Sequence, residues 1–179
     1  METFAVLLRG INVGGINIKM AELKECLASL PVKQVKTLLA SGNVVLNSEL
    51  SLAELKSRIE SALAERFNYQ AWVVILTAQR VTELVEACPY PADSAEQHSY
   101  VTLASDAEAL SRLVEEAKQF EGEMTLLGPE ALAWLAPVGG TLDAPMSKLT
   151  ARAVYKSTTT TRNLRTLIKL KEACAQLRG

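Results

Sequence analysis

Histidine and cysteine are scarce in this chain of 179 residues. There is one histidine, His98, and the three cysteines, Cys26, Cys88 and Cys174, are widely spaced and form no C-x-x-C pair. Because zinc sites need several His or Cys ligands at close spacing, we expect no metal site, and nothing in the chain predicts a cofactor. Cys26 and Cys174 fall in apolar-periodic segments, so we expect both to be buried. An odd set of scattered cysteines favours free thiols in a reducing cytoplasm.

Long apolar runs and aromatic residues are also scarce. No stretch approaches the ~20 apolar residues of a membrane span, and residues 1–8 lack the basic region of a signal peptide. We therefore expect a cytoplasmic protein without a membrane partner. Aromatic residues make up 5% of the chain, and the two tryptophans, Trp72 and Trp134, fall on separate predicted strands. This argues against the stacking platform of RNA-binding sheets.

Charge is nearly balanced over the whole chain but unevenly distributed. The net charge is −1, which argues against a general nucleic-acid partner. Residues 148–179 contain eight basic residues and one acidic residue, whereas residues 79–147 contain three basic and twelve acidic residues. The basic end predicts either a field that attracts anions or a last helix whose dipole favours basic residues near its C-terminus.

The first half of the chain predicts one β-α-β-β-α-β unit. Apolar runs indicate strands over residues 3–8, 34–39, 44–47 and 70–76. A helix begins near Lys19 or Met20, and a second begins at the capping-box pair Ser51 and Glu54. The turn at residues 41–43 joins the second and third strands as a hairpin.

The second half predicts the same order after a helix over 78–87 and a proline-containing bend. Strands are expected over 99–104, 123–127, 131–136 and 153–159. Ser105 and Glu108 predict a second capping box, residues 147–152 a short helix, and Thr160 or Thr161 the cap of the last helix.

These elements predict an α+β fold of two consecutive β-α-β-β-α-β, or ferredoxin-like, units packed together, with linking and C-terminal helices. The predicted boundaries are 1–78 for the first unit, 79–97 for the linking helix and bend, and 98–179 for the second unit with its C-terminal helix. A doubly wound parallel sheet is the alternative. The two hairpins argue against it, because parallel strands need long crossover connections.

The loop after the first strand is the first candidate binding segment. Glycines such as Gly14 and Gly15 let a backbone approach a ligand closely, and the helix start that follows favours anions. Arg9 offers a bidentate contact to a phosphate or carboxylate, and Asn12 and Lys19 lie in the same segment. The spacing matches neither of the common glycine-rich nucleotide-binding motifs. A tight turn with a surface ion pair of Arg9 is the alternative.

Two further segments carry candidate residues. Ser41, Gly42 and Asn43 fit a hairpin turn, and no neighbouring general base makes Ser41 a nucleophile. Thr161, Arg162 and Asn163 are predicted to open the last helix. Helical spacing would then place Arg162 on one face with Arg165 and Lys169, which suits either a bound anion or a solvated basic face.

The same segments resemble the signature blocks of the DUF1697 family of bacterial proteins of uncharacterised function. The resemblance rests on residues 9–15 with 19–23, on 41–45, and on 161–163 with Thr166, Lys169 and Leu170. Ser147, Lys148 and Leu149 are similar to a late element of that family. The resemblance implies a two-part α+β structure related to ferredoxin-like units and implies no reaction. Leu164 stands where the family often has a tryptophan after the Thr-Arg-Asn triplet.

The sequence is compatible with three functions. The leading hypothesis is a protein that binds a small anionic ligand or the acidic segment of a partner through Arg9, Gly14, Gly15, Lys19, Asn43 and Arg162. The second is an enzyme acting on a phosphorylated small molecule, for which Ser41, Lys148 and Arg162 would have to share a pocket. The third is weak nucleic-acid binding through the basic C-terminal region. If the motifs form one site, it must lie where the two units meet. Nothing predicts the oligomeric state.

Overall fold

The computed structural model describes residues 1–11 and 16–178. The chain divides into two compact units, the first formed by Met1–Thr82 with Lys169–Gly179 and the second by Glu83–Ile168. The three-part division predicted from the sequence, with a separate linking segment over 79–97, stays a prediction.

The first unit has the predicted β-α-β-β-α-β order. Its elements, followed by the next helix, are β1 (Glu2–Arg9), α1 (Met20–Ala28), β2 (Val32–Leu38), β3 (Asn43–Ser48), α2 (Leu52–Phe67), β4 (Trp72–Thr77) and α3 (Ala78–Ala87). The four strands form an antiparallel sheet in the order β2-β3-β1-β4. Alternate residues of β1, Phe4, Val6 and Leu8, pack with buried residues of α1 and α2 in one apolar cluster.

The start of α2 shows why this helix begins where the sequence predicts. The Oγ of Ser51 accepts a hydrogen bond from the backbone N–H of Glu54 at 3.3 Å. The Glu54 carboxylate in turn accepts one from the Ser51 N–H at 3.1 Å. This reciprocal capping box satisfies two N–H groups that the helix leaves without backbone partners. Leu55, Ile59 and Leu63 then form the buried stripe that the apolar spacing predicts.

The second unit repeats this topology. Its elements are β5 (Gln97–Ala104), α4 (Ala107–Ala117), β6 (Met124–Gly128), β7 (Ala131–Pro137), α5 (Pro145–Thr150), α6 (Ala153–Lys156) and β8 (Thr159–Asn163). The last helix, α7 (Leu164–Arg178), begins in this unit, and its residues from Lys169 onward belong to the first. The sheet is again antiparallel, in the order β6-β7-β5-β8. Each sheet therefore has its first strand at the centre beside its third, which is the ferredoxin-like arrangement and confirms the predicted fold class.

The predicted strand over residues 153–159 is wrong. Residues 153–156 form the short helix α6, whose Tyr155 is buried and donates a hydrogen bond from its hydroxyl to Glu116 on α4 at 2.6 Å. The strand lies later, over Thr159–Asn163, and pairs with β5. The run of threonines suits a strand because β-branched side chains pack well on a pleated sheet.

The predicted capping box at Ser105 and Glu108 is also wrong by one residue. Asp106 is the N-cap of α4, and its carboxylate accepts a hydrogen bond from the N–H of Ala109 at 2.8 Å. This bond lowers the pKa of Asp106 below its ordinary value. Ser105 instead donates its hydroxyl proton to the Asp106 carboxylate.

The two cysteines expected to be buried are 7% exposed at Cys26 and 2% exposed at Cys174, as predicted. Within residues 1–11 and 16–178, no helix has the length and apolar character needed to cross a membrane. The same described residues contain no group of three or more His, Cys, Asp or Glu side chains that could hold a metal ion.

Candidate functional site

The end of the first sheet at which β1 finishes brings together several predicted site residues. Antiparallel pairing places Leu7 of β1 opposite Asn43, the first residue of β3. It also places Arg9, the last residue of β1, opposite Trp72, the first residue of β4. The chain that leaves β1 at this end returns as α1, which begins directly after Lys19. Arg9, Asn43 and Lys19 therefore belong to one end of this unit.

The turn at residues 41–43 packs directly on the end of β1. The N–H of Leu8 donates a hydrogen bond to the carbonyl oxygen of Gly42 at 2.8 Å. Gly42 has φ +72°, and a Cβ there would lie 2.6 Å from Cδ1 of Ile11 and 2.8 Å from Cβ of Leu8. Only glycine fits both this backbone conformation and this separation. Two motifs that are distant in the sequence thus form one packed cluster.

The buried side chain of Asn43 stabilises this turn. Its amide donates to the Oγ of Ser41 at 2.8 Å and to the carbonyl oxygen of Leu38 at 3.3 Å. Ser41 itself is exposed. The amide therefore ties the end of β2 to the start of β3, which gives Asn43 a structural role whether or not a ligand binds nearby.

Two cationic side chains lie at the same end of the sheet. Arg9 is half-buried, and the loss of solvent lowers the pKa of its guanidinium, which nevertheless keeps its charge because arginine is the most basic side chain. Lys19 is exposed at the N-cap of α1, and its own side chain makes no capping hydrogen bond. One acidic residue, Glu22, lies in that turn. Three other predicted residues of this segment, Asn12, Gly14 and Gly15, lie outside the described residues.

The third predicted motif lies in the second unit and is largely buried. Arg162 belongs to β8 and is 9% exposed. Its Nη1 donates to the Oγ1 of Thr160 at 2.7 Å and to the carbonyl oxygen of Thr161 at 3.0 Å. The prediction that Arg162 opens a helix and shares a face with Arg165 and Lys169 is wrong, because α7 begins only at Leu164.

The neighbours of Arg162 also hold the fold. The Oγ1 atoms of Thr161 and Thr102 lie 2.8 Å apart, and Thr102 accepts a hydrogen bond from Nε1 of the buried Trp134 at 3.0 Å. Asn163 accepts a hydrogen bond from the N–H of Arg165 at 2.9 Å, which satisfies part of the first turn of α7. These bonds give both Thr161 and Asn163 structural functions.

Lys148 and Arg162 lie on opposite sides of the second sheet. Lys148 is on α5, where it is exposed and lies 4.0 Å from Asp143. This helix packs on the face of the sheet that carries Trp134, the face to which Thr161 also points. Because side chains alternate along a strand, Arg162 points to the other face. The pocket that an enzymatic role would require from Lys148 and Arg162 is therefore absent from this unit.

The basic C-terminal region is likewise engaged in internal contacts. Besides the buried Arg162, Arg152 pairs with Glu116, and Nε of Arg165 donates to the carbonyl oxygen of Ala92 at 2.6 Å. The region therefore offers fewer available cations than its composition implies. The expectation that all three motifs meet in one site between the units stays a prediction.

One shallow pocket in the second unit contains none of the predicted site residues. It encloses about 330 Å³, part of it open to solvent, beside the C-terminal end of α4. Phe120, Met124, Trp134 and Met146 are among its lining residues. No local motif marks this pocket, because its wall is assembled from separate elements, and only the apolar character of each residue was visible in the sequence.

Comparison with known proteins agrees with this architecture. The profile of the family described as "Protein of unknown function (DUF1697)" matches residues 1–130. The chain is also similar to the solved structure of a conserved bacterial protein, SP0830, from Streptococcus pneumoniae, with a TM-score of 0.81. The two share 22% sequence identity, and the match covers 98% of this chain and 99% of the other. No curated protein matches at a significant level. The structural similarity establishes the shared fold.

Proposed function

The chain belongs to the DUF1697 family, and from this premise we propose that it binds a small anionic ligand, such as a phosphate or carboxylate, at the β1 end of the first sheet. The observation that carries the proposal is the packing of the 41–43 turn on residues 8–11. That packing holds Arg9 next to a fixed turn, at the end of the sheet where α1 begins.

Arg9 supplies the main attraction in this proposal. Burial removes water from a guanidinium that stays charged, as its lowered pKa reflects. An anion beside it would interact with a partly desolvated positive charge, and the planar fork of arginine matches two oxygen atoms of a phosphate or carboxylate. A hydrogen bond to a charged group contributes about 1.5–3 kcal/mol, which corresponds to roughly a ten- to hundredfold change in affinity.

The start of α1 supports the same ligand class. The side chain of its N-cap residue makes no capping hydrogen bond, and the first N–H groups and the positive end of the dipole of this nine-residue helix favour an anion. Lys19 adds a second positive charge at this point. One acidic residue in the first turn, Glu22, offsets only part of this field.

We also propose that the protein is cytoplasmic. All three cysteines, Cys26, Cys88 and Cys174, are free thiols. This supports a reducing compartment, because exported proteins tend to pair their cysteines.

Thermal shift assays with a panel of nucleotides, sugar phosphates and small carboxylates test the proposal, because a ligand that binds the folded state raises its Tm. We expect at least one anion to stabilise the wild-type protein. In calorimetric titration, Arg9→Ala should lower the affinity for that anion about ten- to hundredfold. Arg9→Lys should lower the affinity less, because lysine keeps the positive charge and loses only the planar fork. Lys19→Ala should have a smaller effect.

Matched controls are available in the same unit. Arg58 is exposed on α2 and Lys24 is exposed on α1, so Arg58→Ala and Lys24→Ala remove the same charges away from the proposed site. Both should bind the anion as the wild-type protein does. The proposal fails if no anion in the panel stabilises the wild-type protein, or if Arg9→Ala and Arg58→Ala bind equally well.

A further inference from the structure

An ion pair on α2 covers part of the edge of the first sheet. Lys56 and Glu60 are one helical turn apart, with Nζ and Oε1 2.6 Å from each other. The same Nζ donates to the carbonyl oxygen of Val73 at 2.5 Å. The same Oε1 accepts a hydrogen bond from the N–H of Val73 at 3.0 Å. Both backbone groups of one β4 residue are therefore bonded to side chains of a helix.

The backbone N–H and C=O of Val73 are the groups to which an additional strand would hydrogen-bond. Among residues 1–11 and 16–178, β4 pairs with β1 alone and is an edge strand in the order β2-β3-β1-β4. In an antiparallel pair, every second residue directs its N–H and C=O away from the partner strand. Val73 is such a residue, since its N–H and C=O meet α2. Lys56 and Glu60 thus occupy the hydrogen-bonding positions of an added strand.

The sequence of β4 would make an exposed edge prone to pairing between molecules. The strand reads Trp-Val-Val-Ile-Leu-Thr over Trp72–Thr77, with no charge, proline or glycine. Short apolar segments rich in β-branched residues readily pair with copies of themselves when their edges are exposed. Two copies of such an edge can pair antiparallel about a twofold axis, which makes a second copy of this chain the natural occupant.

The opposite edge of the sheet is protected by different means. β2 carries Lys33 and Lys36, its pairing with β3 shifts register between them, and Gln34 has φ +53°. Lysines and an irregular register are common defences of an edge strand. Because β4 has neither charge nor irregularity of its own, its protection must come from another element.

We propose that Lys56 and Glu60 act as an edge guard, which prevents β4 from pairing with β4 of a second copy of this chain. The guard mimics a neighbouring strand at Val73 with one donor and one acceptor. Its loss leaves the core side chains of β4 in place and exposes only backbone groups.

The double variant Lys56→Ala/Glu60→Ala tests the proposal. At low protein concentration, the Val73 amide should exchange its hydrogen at least about tenfold faster than in the wild-type protein, because its acceptor is gone. In sedimentation velocity, the variant should associate with rising concentration more than the wild-type protein does. As it associates, the Val73 amide should regain protection, because the new strand supplies an acceptor.

The matched control is Arg58→Ala/Glu65→Ala, which removes one basic and one acidic side chain from exposed positions of the same helix. It should sediment as the wild-type protein does. The proposal is overturned if the Lys56→Ala/Glu60→Ala variant associates no more than the wild-type protein. It is equally overturned if that variant associates without renewed protection of Val73, because the contact then uses another surface.

A second variant covers the case in which the double variant does not fold. Lys56→Met keeps the aliphatic stem of the side chain and removes only the ammonium, which uncovers the Val73 carbonyl. We expect a folded protein by circular dichroism with association above that of the wild-type protein. A folded Lys56→Met variant without added association would overturn the proposal.

Discussion

Replacing Gly42 with alanine tests the packing of the turn against β1. Gly42 has φ +72°, a conformation that costs a residue with a Cβ about 1–2 kcal/mol. The new Cβ would also lie 2.6 Å from Cδ1 of Ile11 and 2.8 Å from Cβ of Leu8, well inside contact distance. Overpacking of this kind costs about 1–3 kcal/mol. We therefore expect Gly42→Ala to lose about 2–5 kcal/mol of unfolding free energy, or about 4–20 °C in Tm.

Gly139→Ala is the matched control for this prediction. Gly139 has φ +79°, yet a Cβ there would meet no atom within 4 Å, so the substitution carries only the backbone cost. Urea denaturation of both variants, followed by circular dichroism, separates the two contributions. Equal destabilisation of Gly42→Ala and Gly139→Ala would refute the close packing of the turn on β1.

A double-mutant cycle locates the contact more finely. Ile11→Val removes Cδ1, the atom that lies nearest to the new Cβ at Gly42. In the wild-type background this change should cost about 0.5–1.5 kcal/mol. With alanine at position 42, the same change should cost less, because it also relieves the clash. Additive costs would show that the two residues do not meet.

Two further predictions concern α4. Asp106→Ala should cost about 1 kcal/mol at neutral pH by removing the N-cap. The pKa of Asp106 is lowered from 3.8 by the bond from Ala109, so its contribution is present above that pH and is lost as pH falls through the lowered pKa. Denaturation at several pH values should show the cost shrinking in acid; a constant cost would contradict the cap. Tyr155→Phe should cost about 1–2 kcal/mol, because its buried hydroxyl bonds Glu116. Burial and that bond raise the pKa of Tyr155 to about 12. The contribution of the hydroxyl to folding stability is therefore present below pH 10.0 and is lost towards pH 12. A spectrophotometric titration that gave Tyr155 the ordinary tyrosine pKa would contradict this.

Much of the fold was predictable because its signals are local. The capping box at Ser51, the hairpin turn and the alternating apolar strands all depend on residues close together in the chain. The errors arose where local signals conflict. Residues 153–156 form a helix whose Tyr155 bonds Glu116 on α4, a contact that no local pattern contains. Ser105 and Asp106 are both good N-cap residues, and the choice between them depends on how β5 ends.

The candidate site was predictable only in part. Adjacent antiparallel strands bring Arg9 and the 41–43 turn to one end of the sheet, and this adjacency follows from the element order. The close approach of Gly42 to Leu8 and Ile11 does not, because it depends on how the side chains pack. Arg162 differs from the prediction for another reason: its spacing from Arg165 and Lys169 fits a helix, but Arg162 belongs to a strand.

The residues that carry the family resemblance therefore have two kinds of role. Asn43 and Arg162 are buried and hydrogen-bonded to the backbone, so their removal would leave buried polar groups without partners and lower stability first. Arg9 and Lys19 keep exposed or half-exposed charges at one end of the first sheet. It follows that a loss of ligand in Arg162→Ala would not distinguish binding from folding. A loss in Arg9→Ala, with an unchanged Tm in the absence of ligand, would assign the site.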